Sequence, residues 1–278
     1  MRCKIKKILN NNVILVDNYY GNEAILIGRG LGYKIKAGDY FDNFEKINQV
    51  FTLSNKNSFD TLLNNVNNEL IALVEEEIHE MQNVLKTKVN ENFHVTLIDH
   101  IAFAINRYEK GLTFNNPFNQ DLAILYESEY QLAKKMVERI NEEFHVKLAD
   151  DEVGIIAIHI HAAYSDEKIE ISRRKTALIE KMINDIYAEF KMNIQKNSLS
   201  HQRLLIHVHY AVERILSNQV IENNMMDYVV ENYNDYFIRI QKIMKLISKE
   251  YQIDVPDSEV SYLVIHFVRI QNELEKNG

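Results

Sequence analysis

The sequence predicts a multidomain chain: a small antiparallel β head followed by two homologous all-α helical-bundle domains. Three observations carry this. Five of the eight glycines (Gly21, Gly28, Gly30, Gly32, Gly38) fall among short β-branched runs at the start of the chain. From Phe59 onward apolar residues recur at spacings of three and four, the period of a helix with one buried face. Finally, the helical part matches itself when shifted by 107 residues.

In the head, residues 2–9 alternate and Asn10-Asn11-Asn12 offers a turn. Residues 13–18 make a second strand, ended by Tyr20-Gly21-Asn22. Residues 23–29 give a third strand and Tyr33–Lys36 a fourth, followed by a turn at Ala37-Gly38-Asp39. Asn and Gly suit such turns because they tolerate positive φ. The β module ends near Leu53, and SNKNS at 54–58 reads as a linker. So short a head buries too little surface to be comfortable alone, and a homodimer is expected. The first helical stripe runs through Phe59, Leu62, Leu63, Val66, Leu70, Leu73, Val74, Ile78, Met81 and Leu85. Further helical patterns cover 95–109, 119–143, 150–163, 174–192, 200–217, 227–250 and 257–275. The expected domains are therefore residues 1–57, 58–170 and 171–278.

Composition narrows the function. With 46% hydrophobic residues and only 2 Pro the chain can build real helical cores. A single cysteine, Cys3, excludes an internal disulfide framework and a cysteine metal cluster. No apolar run approaches membrane-spanning length, and MRCKIKKILNNN lacks the apolar centre of a signal peptide, so the chain reads as cytoplasmic with no membrane insertion. The net charge of −8 conceals an asymmetry. Residues 1–57 carry nine Lys and Arg against five acids, a balance of +4 that leaves −12 for the rest. A basic head on an acidic body suits a polyanion at the head, although ordinary surface charge fits equally well. No phosphate loop, nucleophile elbow or HExxH is present, so no catalytic residue, metal or cofactor is expected. Gly28-Arg29-Gly30-Leu31-Gly32 begins like a dinucleotide fingerprint, but strand-like YKIK follows where a helix would be needed.

Under the shift of 107, residues 100–159 fall on 207–266 without a gap, and thirteen of the sixty positions are identical. Among them are His100/His207, Arg107/Arg214, Tyr126/Tyr233, Glu152/Glu259 and His159/His266. In each copy the two histidines lie 59 residues apart. Each of His100 and His207 shares a helix face with the arginine seven residues on. Three readings stand side by side: hydrogen-bonded core histidines, metal ligands through His159/His161 or His207/His209, and phosphoryl acceptance on a neutral imidazole. The metal reading lacks an acid-rich ligand set, and residues two apart point to different sides of a helix.

KKILNNNVILV (6–16), IGRGLGYKIKAGD (27–39) and EKINQVFTL (45–53) resemble the co-antiterminator RNA-binding domain of the beta-glucoside/sucrose family of bacterial transcriptional antiterminators. LIDHIAFAINR (97–107) and DEVGIIAIHIH (151–161) resemble the paired phosphotransferase-system regulation domains of the same family, and the likeness covers nearly the whole chain.

The resemblance implies a non-enzymatic regulator. As a dimer the head would bind a hairpin in a nascent leader transcript, preventing a terminator from forming. RNA contacts would fall on Lys7, Asn10, Asn11, Asn12, Gly28, Arg29, Gly30 and Tyr33. Phosphorylation would fall on His100, His159, His207 and His266, delivered by the phosphocarrier protein and a sugar-specific enzyme II. Arg107 and Arg214 are candidate counter-charges. Asp99 gives His100 a neighbouring carboxylate where His207 has Ile206. The alternative is a DNA-binding activator carrying the same regulatory domains, which would need a helix-turn-helix head in place of the β pattern.

Overall fold

The computed structural model describes residues 2–277 except 21, 54–63, 166, 193 and 220–223. Gly21, the expected linker at 54–58, the boundary at 57/58 and the stripe residues Phe59, Leu62 and Leu63 lie outside the described residues. The chain divides into two units. One comprises residues 1–116 and 128–168, the other residues 117–127 and 169–278.

The first unit opens with five strands: β1 (Cys3–Ile8), β2 (Val13–Tyr19), β3 (Asn22–Ile27), β4 (Tyr40–Phe41) and β5 (Gln49–Leu53). They form one antiparallel sheet in the order β4-β1-β2-β3-β5. Alternation sorts the side chains to two faces. Ile5, Ile14, Val16, Ala24 and Leu26 cluster with Leu31 and Phe41 beneath the long loop after β3. Val13, Leu15, Ile25 and Ile27 face the other way and join the core of the helices.

The fourth expected strand, Tyr33–Lys36, is not one. Lys34 takes φ +59° and Gly30 φ +72°, so the segment coils back on itself. The Asp39 side chain accepts from the Lys36 amide at 2.8 Å and closes the turn. Turn chemistry overrides the alternation of YKIK, and the strands that complete the sheet are β4 and β5.

The same unit contains α1 (Asn68–Leu85), α2 (Glu91–Glu109), α4 (Glu127–Phe144) and α5 (Asp150–Tyr164). The starts are set by side chains: Asn67 accepts from the Glu69 amide and Asn90 from the Phe93 amide, satisfying donors the helix leaves open. Leu97, Ile98, Ile101, Ala133, Met136, Ile140, Ile156 and Ile160 fill the core with Ile71 and Ile78 of α1.

The second unit contains α3 (Asn119–Leu125), α6 (Ile169–Glu189), α7 (Leu199–Leu216), α8 (Met226–Asn232), α9 (Asn234–Tyr251) and α10 (Asp257–Asn277). Ile179, Ile186, Leu204, Val208, Ile240, Met244 and Phe267 are buried in it. The expected helices over 119–143 and 227–250 are each two. The breaks fall at Tyr126 (φ −126°, ψ 49°) and Tyr233 (φ −132°, ψ 34°), a pair identical in both repeats. Both keep the apolar period across the break, which is why the pattern reads as continuous. Also unexpected is the packing of α3 on α7, although sequence position puts α3 in the first copy. Its counterpart α8 packs on α9 and α10 of its own copy. Among the described residues no helix is long and apolar enough to cross a membrane.

Candidate functional site

In the head, two loops distant in sequence are tied into one surface. The Asn10 side chain accepts from the amides of Asn12 at 2.7 Å and Val13 at 2.8 Å, which shapes the β1–β2 turn. The Asn12 side chain accepts from the Gly30 amide at 3.0 Å. Backbone bonds add to this: Gly28 donates to the Asn12 carbonyl and Gly32 to the Asn11 carbonyl, each at 2.9 Å. Gly28 must lack a side chain, because a Cβ there would collide with the Lys46 carbonyl. Gly30 needs its freedom of φ. Asn11 and Arg29 are exposed, and Tyr33 is 62% exposed with Lys34 Nζ 5.2 Å from its ring centre. Lys7 lies on β1 beside a bulge. The expected RNA residues of the two loops thus share one patch, with a cation, an exposed ring and several amides on it. Such a patch can pair with phosphate, stack on an unpaired base and hydrogen-bond base edges.

In the first helical repeat α2 brings His100 against His159 of α5, ring centres 5.2 Å apart. The carboxylate at His100 belongs to Glu152, whose Oε2 is 3.3 Å from Nε2. Asp99 stays exposed, since neighbours on a helix point about 100° apart. Arg107 is already engaged: it donates to Glu152 Oε1 and lies 5.3 and 4.5 Å from the rings of Phe103 and Phe114. A role as phosphate counter-charge would therefore share the guanidinium with Glu152, which holds Nη2. His161, near the end of α5, bonds to Glu129 at 2.9 Å. Burial works to raise the Glu129 carboxyl, but the His161 hydrogen bond, a backbone amide and the His161 charge together outweigh it and hold the pKa down.

In the second repeat α7 and α10 stack His207 on His266, ring centres 3.3 Å apart and planes inclined by 20°. Arg214 holds Glu259 with two parallel bonds of 2.8 Å, so both oxygens of this carboxylate are engaged. Burial, then the His207 ring, then Arg269 and Arg214 push the His266 pKa down to about 4. Burial and the same arginines lower that of His207. Both rings are thus neutral at physiological pH and carry a nucleophilic lone pair.

Each copy therefore assembles two histidines, an arginine and a glutamate. The glutamates were visible in the sequence as the Glu152/Glu259 identity, but nothing there paired them with the arginines. A further histidine pair lies just outside the 100–159 match. Extending the 107-residue shift a few residues upstream aligns His94 with His201, and both are buried. Each meets a carboxylate: His94 Nδ1 is 2.8 Å from Glu75 Oε2, and His201 Nε2 bonds to Asp121. Tyr187 bonds to the other nitrogen of His201 at 2.8 Å. The partners differ between copies, which is why the repeat alone could not supply them.

Comparison with known proteins agrees with both halves of this description. Residues 3–59 match the CAT RNA binding domain, and residues 75–163 and 180–270 each match the PRD domain. The chain is 33% identical to transcription antiterminator LicT of Bacillus subtilis (strain 168) over 273 residues, 96% of this chain and 98% of that protein. It is 30% identical to protein GlcT of Staphylococcus haemolyticus (strain JCSC1435), covering 98% of each chain. The crystal structure of GlcT CAT-PRDI matches 59% of this chain and 99% of its own, with 35% identity and a TM-score of 0.50.

Proposed function

The chain belongs to the family of transcription antiterminators that join a CAT RNA-binding domain to PRD domains, and on that premise we propose that its head, as a dimer, holds an RNA hairpin in a nascent leader transcript and so keeps a terminator from forming. It is an RNA-binding antiterminator regulated through its two PRD domains. The finer reading assigns residues 1–57 to the head and 58–170 and 171–278 to the regulatory domains. LicT is named as a transcription antiterminator, and this chain works in the same way, in the cytoplasm and without catalysis of its own.

The observation that carries the regulatory reading is the repeated pocket: two histidines beside an Arg–Glu pair, built once in each copy. A phosphoryl group brings roughly −1.5 to −2 charge and strong acceptor oxygens. On His100 Nε2 it would press against Glu152, so the Arg107–Glu152 pair must re-form around it. In the second copy Glu259 is held at both oxygens, and a phosphoryl group there competes for Arg214 instead. The two copies thus respond differently, as fits two donors: a sugar-specific enzyme II that switches the protein off through the first PRD, and the phosphocarrier protein that stabilises the active dimer through the second.

A terminator-reporter assay tests this. His100→Ala is expected to antiterminate without the inducing sugar; full dependence on the sugar would remove the first-domain assignment. Failure of a reconstituted phosphotransferase chain to label either PRD would return the histidines to a purely structural role.

A further inference from the structure

The turn proposed to contact RNA is already occupied. Glu76, on α1, accepts from Asn10 Nδ2 and from Asn12 Nδ2, each at 3.1 Å and both on Oε1. Its other oxygen takes Arg139 Nη2 of α4 at 2.6 Å, and the same guanidinium bonds to Glu77. The carbonyl oxygens of the two asparagines are committed to backbone amides. Their nitrogens are therefore the atoms offered to a ligand, and both are directed at one carboxylate.

Charge sharpens the point. Glu76 and Glu77 share one arginine, so the cluster keeps a net negative charge beside the patch that carries Arg29. An RNA phosphate or base carbonyl approaching Asn10 and Asn12 meets an anion already bound to the same donors. The contact has an apolar footing, since Leu9, Val13 and Leu15 of the head share a core with Ile71, Val74 and Ile78 of α1. A second tie lies further along α1, where His79 bonds to Gln49 of β5. In the second copy, which carries no head, Leu246 stands where the shift of 107 places Arg139. The arginine that steadies Glu76 thus occurs only in the copy that has a head to hold.

We propose that Glu76 is an intramolecular stand-in for an RNA acceptor, seated on the Asn10–Asn12 turn by α1 and steadied by Arg139, and that RNA must displace it. This rests on the reading of that turn as an RNA contact. It makes the first PRD a direct competitor for the RNA site, because any rearrangement that draws α1 away uncovers both amides together.

The test uses the full chain and a labelled synthetic RNA hairpin copied from the leader of the neighbouring operon, with affinity read by fluorescence anisotropy. Glu76→Ala is expected to bind about tenfold tighter, since two charge-assisted bonds and a repulsive charge are removed. Glu76→Gln, which keeps shape and an acceptor but not the charge, should gain about threefold. In an Asn10→Ala/Asn12→Ala background the Glu76→Ala gain should shrink to the share that comes from the removed charge. Unchanged or weaker binding by both Glu76 variants, with the Asn10→Ala/Asn12→Ala chain weakened, would overturn the competition while leaving the turn as an RNA contact. An Asn10→Ala/Asn12→Ala chain that binds like the parent would remove the RNA reading of the turn and the proposal with it.

Discussion

Arg29 stands exposed between two glycines whose backbones are held by the asparagine turn, so its guanidinium is presented on a fixed base. If it makes a bidentate contact, Arg29→Ala should cost about 1–3 kcal/mol of RNA affinity without lowering thermal stability, read by titration alongside a melt. His266 yields a second residue-level prediction. Its folded pKa of about 4 lies below its usual 6.5. On acidification the unfolded chain takes up this proton first, so the stability from this site is full above about 6.5 and falls as the pH drops towards 4. Denaturant melts between those limits should show the decline, and His266→Gln should flatten it. An equally steep slope in the variant would assign the effect to other groups.

Among the elements, the loop after β3 and the short helix α3 owe most to contacts the sequence does not display. The loop passes so close to the Lys46 carbonyl that Gly28→Ala must shift backbone. That variant is expected to lose RNA binding and to lower the melting temperature together, whereas Arg29→Ala affects binding alone. The α3 segment depends on Asp121, which is fully buried and held by His201 and by Lys196 at 2.7 Å. Asp121→Ala leaves His201 buried without its carboxylate and should destabilise the second unit by about 3–5 kcal/mol. Urea melts would measure this; a loss below about 1 kcal/mol would show that the pair carries little.

The helices were legible because each keeps an apolar stripe at the right period, and the sheet because its strands alternate between turn residues. The breaks at Tyr126 and Tyr233 were not, since the stripe continues across them. Neither was the coil at Tyr33–Lys36, where left-handed residues decide the path and alternation does not. The repeat brought His100, His159, His207 and His266 to notice, and the structure pairs them within each copy. Glu76 and Asp121 were invisible for another reason. Their partners lie 63 to 80 residues away in sequence, and no motif or period links them.

For the whole molecule, membership of residues 117–127 in the second unit means that no single cut divides the chain into its two units. A fragment of residues 117–278 is expected to unfold at a higher temperature than one of residues 169–278, as differential scanning calorimetry would show, because only the longer one contains Asp121. Equal transitions would mean that α3 adds nothing to the second unit.

The same connectivity sets a schedule during synthesis. Asp121 precedes His201 by 80 residues. At the usual bacterial pace of roughly 5–20 residues per second, the aspartate waits about 4 to 16 seconds for its histidine. Throughout that interval α3 has emerged, with Leu122 and the Asp121 side chain that both end up buried, and has nothing yet to bury them. The nascent chain is therefore most open to chaperones and proteases over this stretch, and a slow codon between residues 128 and 200 would lengthen its exposure.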